Sequence, residues 1–295
     1  MELLTPYLNT IGFIVIPLLF LPFLIWEYRK YQAKGKEYNF KEVKTSAKIY
    51  LGKIVSKSIY ATLIYSFYTW VYQFRFADIE ISLLSGIGLF FGIELCYYAM
   101  HRAGHRIRWM WSAHNVHHSA RQLNLFAAIR LSWTAFPAGF FIFYSPLIIL
   151  GYHPLTVSTA ISLCLLYQFF LHTEEVEELH PAVEYLFNTP RNHRVHHSSD
   201  SHLLDKNFGG IIMIYDHLFG TYGVASAGEK LNFGLAGKEG SDAPIAVALG
   251  ETITMFRESF NANNLKHSLL YLFGPPGWKP KENKNTQTHF PKGNF

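Results

Sequence analysis

Glu94 to Ser119, ELCYYAMHRAGHRIRWMWSAHNVHHS, carries histidines at 101, 105, 114, 117 and 118, directly after an apolar run long enough to enter a membrane. On an α-helix, residues three and four apart share a face with Cβ atoms about 5–6 Å apart, so H-x-x-x-H and H-x-x-H-H each aim several imidazoles at one point. HRVHH at 193–197 repeats the spacing of HNVHH at 114–118. At this chain's histidine frequency, one H-x-x-H-H arises by chance in only about 4 of 100 such sequences, before a second copy is required. The clusters predict a metal site.

The composition surrounds that site with a membrane. The chain is 49% hydrophobic and 17% aromatic, with only 16% charged residues, and this balance predicts an all-α integral membrane protein rather than a soluble domain. The net charge of +5 is clustered after the first apolar run and has no aromatic-and-basic recognition module beside it. It reads as a basic surface facing lipid headgroups, and nucleic acid is excluded as a partner. Cys96 and Cys164 both lie inside apolar runs, so neither a disulfide framework nor a cysteine zinc site is available.

The apolar runs predict a multi-pass helical bundle of four or five spans. Thr10–Trp26 is long enough for a tilted crossing, kinked at Pro17 and Pro22. The stretch after it is dominated by Arg29, Lys30, Lys34, Lys36, Lys41, Lys44, Lys48, Lys53 and Lys57, and the positive-inside rule makes that loop cytoplasmic. Ile59–Phe74 and Ile81–Met100 then pair as a hairpin, and Trp133–Tyr152 with Leu155–Leu171 as a second one around Gly151–Pro154. Both hairpins return histidines to the basic side. The expected organisation is residues 1–80 as N-terminal transmembrane helices with a basic cytoplasmic loop, 81–223 as the catalytic domain, and 224–295 as an amphipathic segment and disordered tail. Asp205–Gly223 reads as a compact, glycine-punctuated segment beside the metal clusters, residues 224–247 as a loop, and Ile253–Phe273 as one amphipathic helix lying on the membrane or against the cytoplasmic cap.

His101, His105, His114, His117, His118, His193, His196 and His197 make eight candidate ligands, with His172 in FFLHTEE a ninth. Nine imidazoles are too many for one ion and suit two. Nitrogen ligation of this kind fits Zn, Cu, Fe or Ni, and the donor type alone does not choose among them. His202 and His217 are outlying candidates; His153, His180, His267 and His289 read as ordinary surface histidines. A metal transporter or sensor is the rival class, but transport would place ligands near the bilayer midplane rather than at helix ends on one side.

HRAGH, HNVHH and HRVHH in this order, with LHTE between the last two, resemble the histidine boxes of the fatty acid hydroxylase and sterol desaturase superfamily of membrane di-iron enzymes. Within it, NLFAAIR, YQFFLHTE, LFNTPRNHRVHH, DKNFGG, DHLFGT and the late GPPGW are similar to segments of the alkylglycerol monooxygenase group. The resemblance covers about Gly92 to Gly223. It implies that the box histidines ligate two iron ions, that O2 is the oxidant, and that a membrane lipid is hydroxylated. Desaturation of a lipid, sterol or fatty acyl group, or hydroxylation of an amino-lipid, is the alternative. It also implies an external electron donor, either a reduced pterin or an electron-transfer protein. Some relatives have a further histidine where this chain has Gln168. The site is expected on the cytoplasmic face, in a bacterial inner membrane rather than the endoplasmic reticulum.

Supporting roles are expected around the ligands. Glu94, two helical turns before His101 within an apolar run, is a candidate partner for a ligand imidazole or a proton relay, or else an acid facing headgroups. Asp205, Asn207 and Asp216 are candidates to orient imidazole N–H groups, or turn formers beside glycine. Arg130 would meet a lipid headgroup or snorkel, Trp109 and Trp111 would sit in an interface belt, and Tyr97 and Tyr98 would pack near the first ligand.

Overall fold

The computed structural model describes residues 20–280, without the side chains of residues 57 and 58. Among the described residues there are helices, turns and two isolated bridges, Phe187 with Ile212 and Ser198 with Phe233, but no strand. The predicted first crossing, Thr10–Trp26, lies mostly outside them, as does the predicted disordered tail beyond residue 280.

Helix α1 covers residues 20–33 of the described chain, and α2 runs from Phe40 to Tyr72. Much of the basic stretch expected as loop is therefore helix. Asn39 accepts hydrogen bonds from the Lys41 and Glu42 amides, capping α2, and the lysines that follow are good helix formers. α3, Leu83–Arg106, opens with a reciprocal Ser82–Ser85 capping box and is the one described helix long and apolar enough to cross a membrane.

The second predicted hairpin exists in shortened form. A 3-10 turn, Phe140–Tyr144, leads into α6, Ser145–Leu150, and α7 is Pro154–Phe169 with Pro154 at its first turn. Gly151, at φ +126°, makes the tip, where a Cβ would lie 2.2 Å from the Ala77 carbonyl oxygen. The tip is tied to the start of α3 and the end of α2: Tyr152 Oη donates to Ser85 O (2.7 Å) and Phe76 N to Ile149 O (2.8 Å). At the opposite end, Trp109 Nε1 donates to Pro137 O (3.0 Å) and Trp133 Nε1 to Ile49 O (2.8 Å). These anchors align α2, α3 and the hairpin lengthwise. Their shared apolar core includes Tyr68, Leu89, Ile93, Leu147, Ile148 and Val157, and all the predicted ligands lie at one end of it.

The C-terminal segment departs from a single helix. α11, Pro244–Phe260, and α12, Leu265–Phe273, are separated where Asn264 caps the second helix, and both pack against α4, Arg108–His118. Arg108 holds them there, with Nε 2.9 Å from Glu251 Oε1, Nη1 paired to Glu258 and its amide donating to Gly274 O (3.0 Å).

Candidate metal centre

Ile107, in extended conformation, ends α3 and begins α4, Arg108–His118. One non-helical residue turns the chain sharply, so the H-x-x-x-H of α3 folds onto the H-x-x-H-H of α4. α9, Pro190–His197, starts at Thr189, whose side chain accepts from the Asn192 amide, with Pro190 preset for the first turn. His172 follows the end of α7 by three residues.

The nine predicted histidines come together in two groups. His101, His105, His114, His118 and His196 offer nitrogens that all lie within 4.8 Å of one another, and so do His117, His172, His193 and His197. Each group thus mixes ligands from different boxes. In the first, Nε2 of His114 is 3.1 Å from Nε2 of both His101 and His118. In the second, His172 Nε2 is 3.0 Å from those of His117 and His193, and His193 Nε2 is 3.1 Å from that of His197. Two nitrogens bound at about 2.1 Å and at right angles to a common ion stand about 3.0 Å apart, so these separations fit shared coordination. Nε2 of His105 and His196 is buried without any hydrogen-bond partner, which also fits a metal ligand.

The other ring nitrogens explain why the Nε2 lone pairs face inward. Nδ1 of His101 is 3.0 Å from Phe208 O, that of His196 is 2.9 Å from Lys206 O, and that of His172 is 2.8 Å from Gln168 O. A backbone carbonyl only accepts, so each Nδ1 carries the proton and each Nε2 is free to bind metal. Burial holds the α4 and α9 imidazoles well below their ordinary pKa, helped by neighbouring imidazoles, and takes His172 down to about 4. They are neutral donors at physiological pH.

Of the four predicted supporting residues, only Asp205 faces a predicted ligand. Its Oδ1 is 3.5 Å from His105 Nδ1, and that hydrogen bond, with Arg106 beside it, holds the carboxyl low against the opposing effect of burial. The other three act one step further out, through the backbone of the 207–213 loop, because that loop carries the carbonyl His101 needs. Asp216 accepts from the Phe208 and Gly209 amides (2.8 and 2.7 Å). Asn207, at φ +57°, bridges Asn192 O and the Gly223 backbone. Glu94 accepts from the Ile211 and Ile212 amides (2.7 and 2.9 Å) and from Cys164 Sγ, and touches neither lipid headgroups nor a ligand.

His202 pairs with Glu229 and His217 stacks on Tyr185 at 4.0 Å, both outside the two groups. His153 and His180 accept amide hydrogen bonds at the starts of α7 and α8, Pro181–Leu186. Arg130 is fully buried, with Nη1 3.3 Å from Ser119 Oγ and 3.5 Å from Glu42 Oε1, so it neither snorkels nor meets a headgroup. Trp109 stacks on Phe273, whereas Trp111 lies 5.2 Å from the His105 ring and closes the first histidine group. Phe208, fully buried, forms another wall of that group, 5.1 Å from the same ring. Phe208 and Asn188, whose amide donates to Gly209 O at 2.7 Å, are positioning residues that periodicity did not reveal; proximity to the boxes in DKNFGG and LFNTP was the only signal.

Residues 86–221 match the fatty acid hydroxylase family. The chain is 36% identical to the alkylglycerol monooxygenase of Danio rerio over 191 residues and 35% identical to that of Homo sapiens over the same length, in each case 65% of this chain and 42% of the relative. It is also 28% identical over 145 residues to an ornithine lipid hydroxylase of Rhizobium tropici, covering 49% of this chain and 44% of that one. The chain thus spans less than half the length of these relatives, and no solved structure matches it significantly. Every histidine of the two groups lies inside the stretch, residues 86–221, that matches the fatty acid hydroxylase family.

Proposed function

We propose that this protein is a membrane-bound oxygenase that hydroxylates a lipid C–H bond with O2, using two iron ions held by His101, His105, His114, His118 and His196 on one side and His117, His172, His193 and His197 on the other. The observation that carries this reading is the division of nine buried, neutral imidazoles into two sets at coordination spacing, within the stretch that matches the fatty acid hydroxylase family. The bound irons would supply the reductive activation of O2 needed to attack an unactivated C–H bond.

The chain's own contribution is preorganisation. The carbonyls of Phe208, Lys206 and Gln168 fix three imidazoles by accepting hydrogen bonds from their Nδ1–H groups, and Asp205 orients His105. Trp111 and Phe208 exclude water from the first group, so reactive oxygen species would meet substrate rather than solvent. The histidines lie at one end of the apolar bundle, beside Phe140, whose ring is 6.3 Å from His114; a lipid chain rising along that bundle would reach the site without crossing water.

The matched family, fatty acid hydroxylase, and relatives named as monooxygenases and an ornithine lipid hydroxylase favour hydroxylation over desaturation. With an ether lipid as substrate, hydroxylation at the carbon beside the ether oxygen consumes O2, two electrons and two protons and yields water and a hemiacetal. The hemiacetal then breaks its C–O bond to give an aldehyde and an alcohol. The electrons come from an external donor, a reduced pterin or an electron-transfer protein, and the site faces the cytoplasm.

Mass spectrometry of lipids from iron-fed cells expressing the protein or His118→Ala tests this. A lipid gaining one oxygen, or a fatty aldehyde with depleted ether lipid, is expected only with the parent chain; a species losing two hydrogens would mean desaturation. Purified parent protein is expected to hold iron that His118→Ala loses. Parent protein without bound iron would overturn the reading.

A further inference from the structure

The loop that supports the ligands does not stay at the histidine end of the bundle. α10, Ile214–Phe219, lies alongside α3: Tyr215 Oη donates to Phe91 O (2.9 Å), and Phe219 stacks on Tyr98 with ring centroids 5.3 Å apart. Phe91 and Tyr98 stand about 22 and 12 Å before the histidine-side end of α3 at 1.5 Å per residue, within a hydrocarbon layer about 30 Å thick. A short helix packed beside the middle of a membrane span shares that span's depth.

Non-helical backbone is tolerated at such depth only where the protein satisfies its polar groups. The loop before α10 meets that demand. The Phe208 and Gly209 amides go to Asp216, and those of Ile211 and Ile212 to Glu94, itself about 18 Å inside α3. The carbonyls of Gly209 and Gly210 accept from Asn188 Nδ2, that of Ile211 accepts from Asn188 N, and Met213 N closes on Leu186 O. At Gly210 a Cβ would come within 2.9 Å of both Cys164 Sγ and Glu94 Oε1, so only glycine lets the loop seat on the carboxylate. A buried carboxyl group in an apolar helix is thereby explained: Glu94 stands in for water.

The outer surface of this segment is apolar. Leu218 is 69% exposed and Leu186, on α8, 54%; Val183, Ile214 and Phe219 extend the patch. It continues the exposed face of α3 on which Leu84, Ile87, Phe91 and Leu95 recur at helical spacing. Soluble surfaces do not gather so many large apolar side chains in one place.

We propose that α8, α10 and the loop between residues 207 and 213 form a re-entrant lip embedded in the bilayer beside α3, and that the occupant of its outer face is the acyl-chain layer of one leaflet. The inference rests on the reading of α3 as a membrane-spanning helix. Lipid chains then lie against the same segment whose Phe208 carbonyl holds His101.

Spin labels on one added cysteine at a time in the full chain, reconstituted in lipid nanodiscs, test it: Leu218→Cys on the lip, Ile87→Cys on α3 and Glu239→Cys on the exposed loop before α11. The parent chain, whose Cys96 and Cys164 are half-buried and buried, sets the blank. Relaxation by O2, which concentrates in lipid, is expected to exceed relaxation by a water-soluble nickel chelate several-fold at 218 and 87, with the reverse at 239. A lipid-like label at 87 with a water-accessible one at 218 would overturn the lip while leaving the span. Protection of 218 from both reagents would also overturn it, by showing protein covering the face. A water-accessible label at 87 would remove the span and the lip with it.

Discussion

His172 shows how much burial demands of a single ligand residue. Its folded pKa of about 4 lies below the ordinary 6.5, so the unfolded chain binds more protons than the native one between those values. Stability is therefore full above pH 6.5 and falls as the pH drops toward 4, by roughly 3 kcal/mol for this side chain alone. The imidazoles of α4 and α9, also held well below their ordinary pKa by burial, add in the same direction. Metal-free protein is expected to show a flat melting temperature from pH 8 to 7 and a steep decline below 6.5. A melting temperature unchanged between pH 7 and 5 would contradict buried neutral imidazoles.

Among the elements, α9 has the smallest margin. Eight residues are too few for a stable isolated helix, yet this one presents three of the nine clustered histidines. It depends on Thr189, which caps the Asn192 amide and also donates to the buried Glu184 carboxylate. Thr189→Ala removes both interactions, and a loss of about 1–3 kcal/mol is expected in denaturant titrations. Thr189→Ser retains the hydroxyl and is expected to recover most of that. The more telling readout is iron loss to a chelator, which should accelerate in the alanine variant and not in the serine variant, because fraying of α9 frees His193, His196 and His197 together.

At the scale of the whole molecule, the C-terminal helices act as a strap on α4. Arg108 is buried against Glu251 and Glu258, whose carboxylates also pair with Lys238 and Lys279, so removing the guanidinium weakens the network without leaving either carboxylate unpaired. Arg108→Ala is expected to cost about 1.5–3 kcal/mol and to expose the segment joining residue 223 to α11 to proteolysis. Unchanged melting and cleavage patterns would show that α11 and α12 hold to α4 by apolar packing alone.

What the sequence determined by itself was local and periodic. The spacing of His101/His105, His114/His117/His118 and His193/His196/His197 places imidazoles on shared helix faces whatever surrounds them, and apolar length marks α3 as a candidate crossing, because both depend only on helix geometry. The tertiary structure decided the rest. That His196 joins the α3 and α4 histidines while His117 joins His172 and the remaining α9 histidines follows from how three separate helices meet. Likewise Glu94 looked like a partner for His101, two turns away on the same helix, but its carboxylate was claimed by two amides from more than a hundred residues downstream. Hydrogen-bond demand in a water-poor interior is set by what folds against a residue, and no local pattern encodes it.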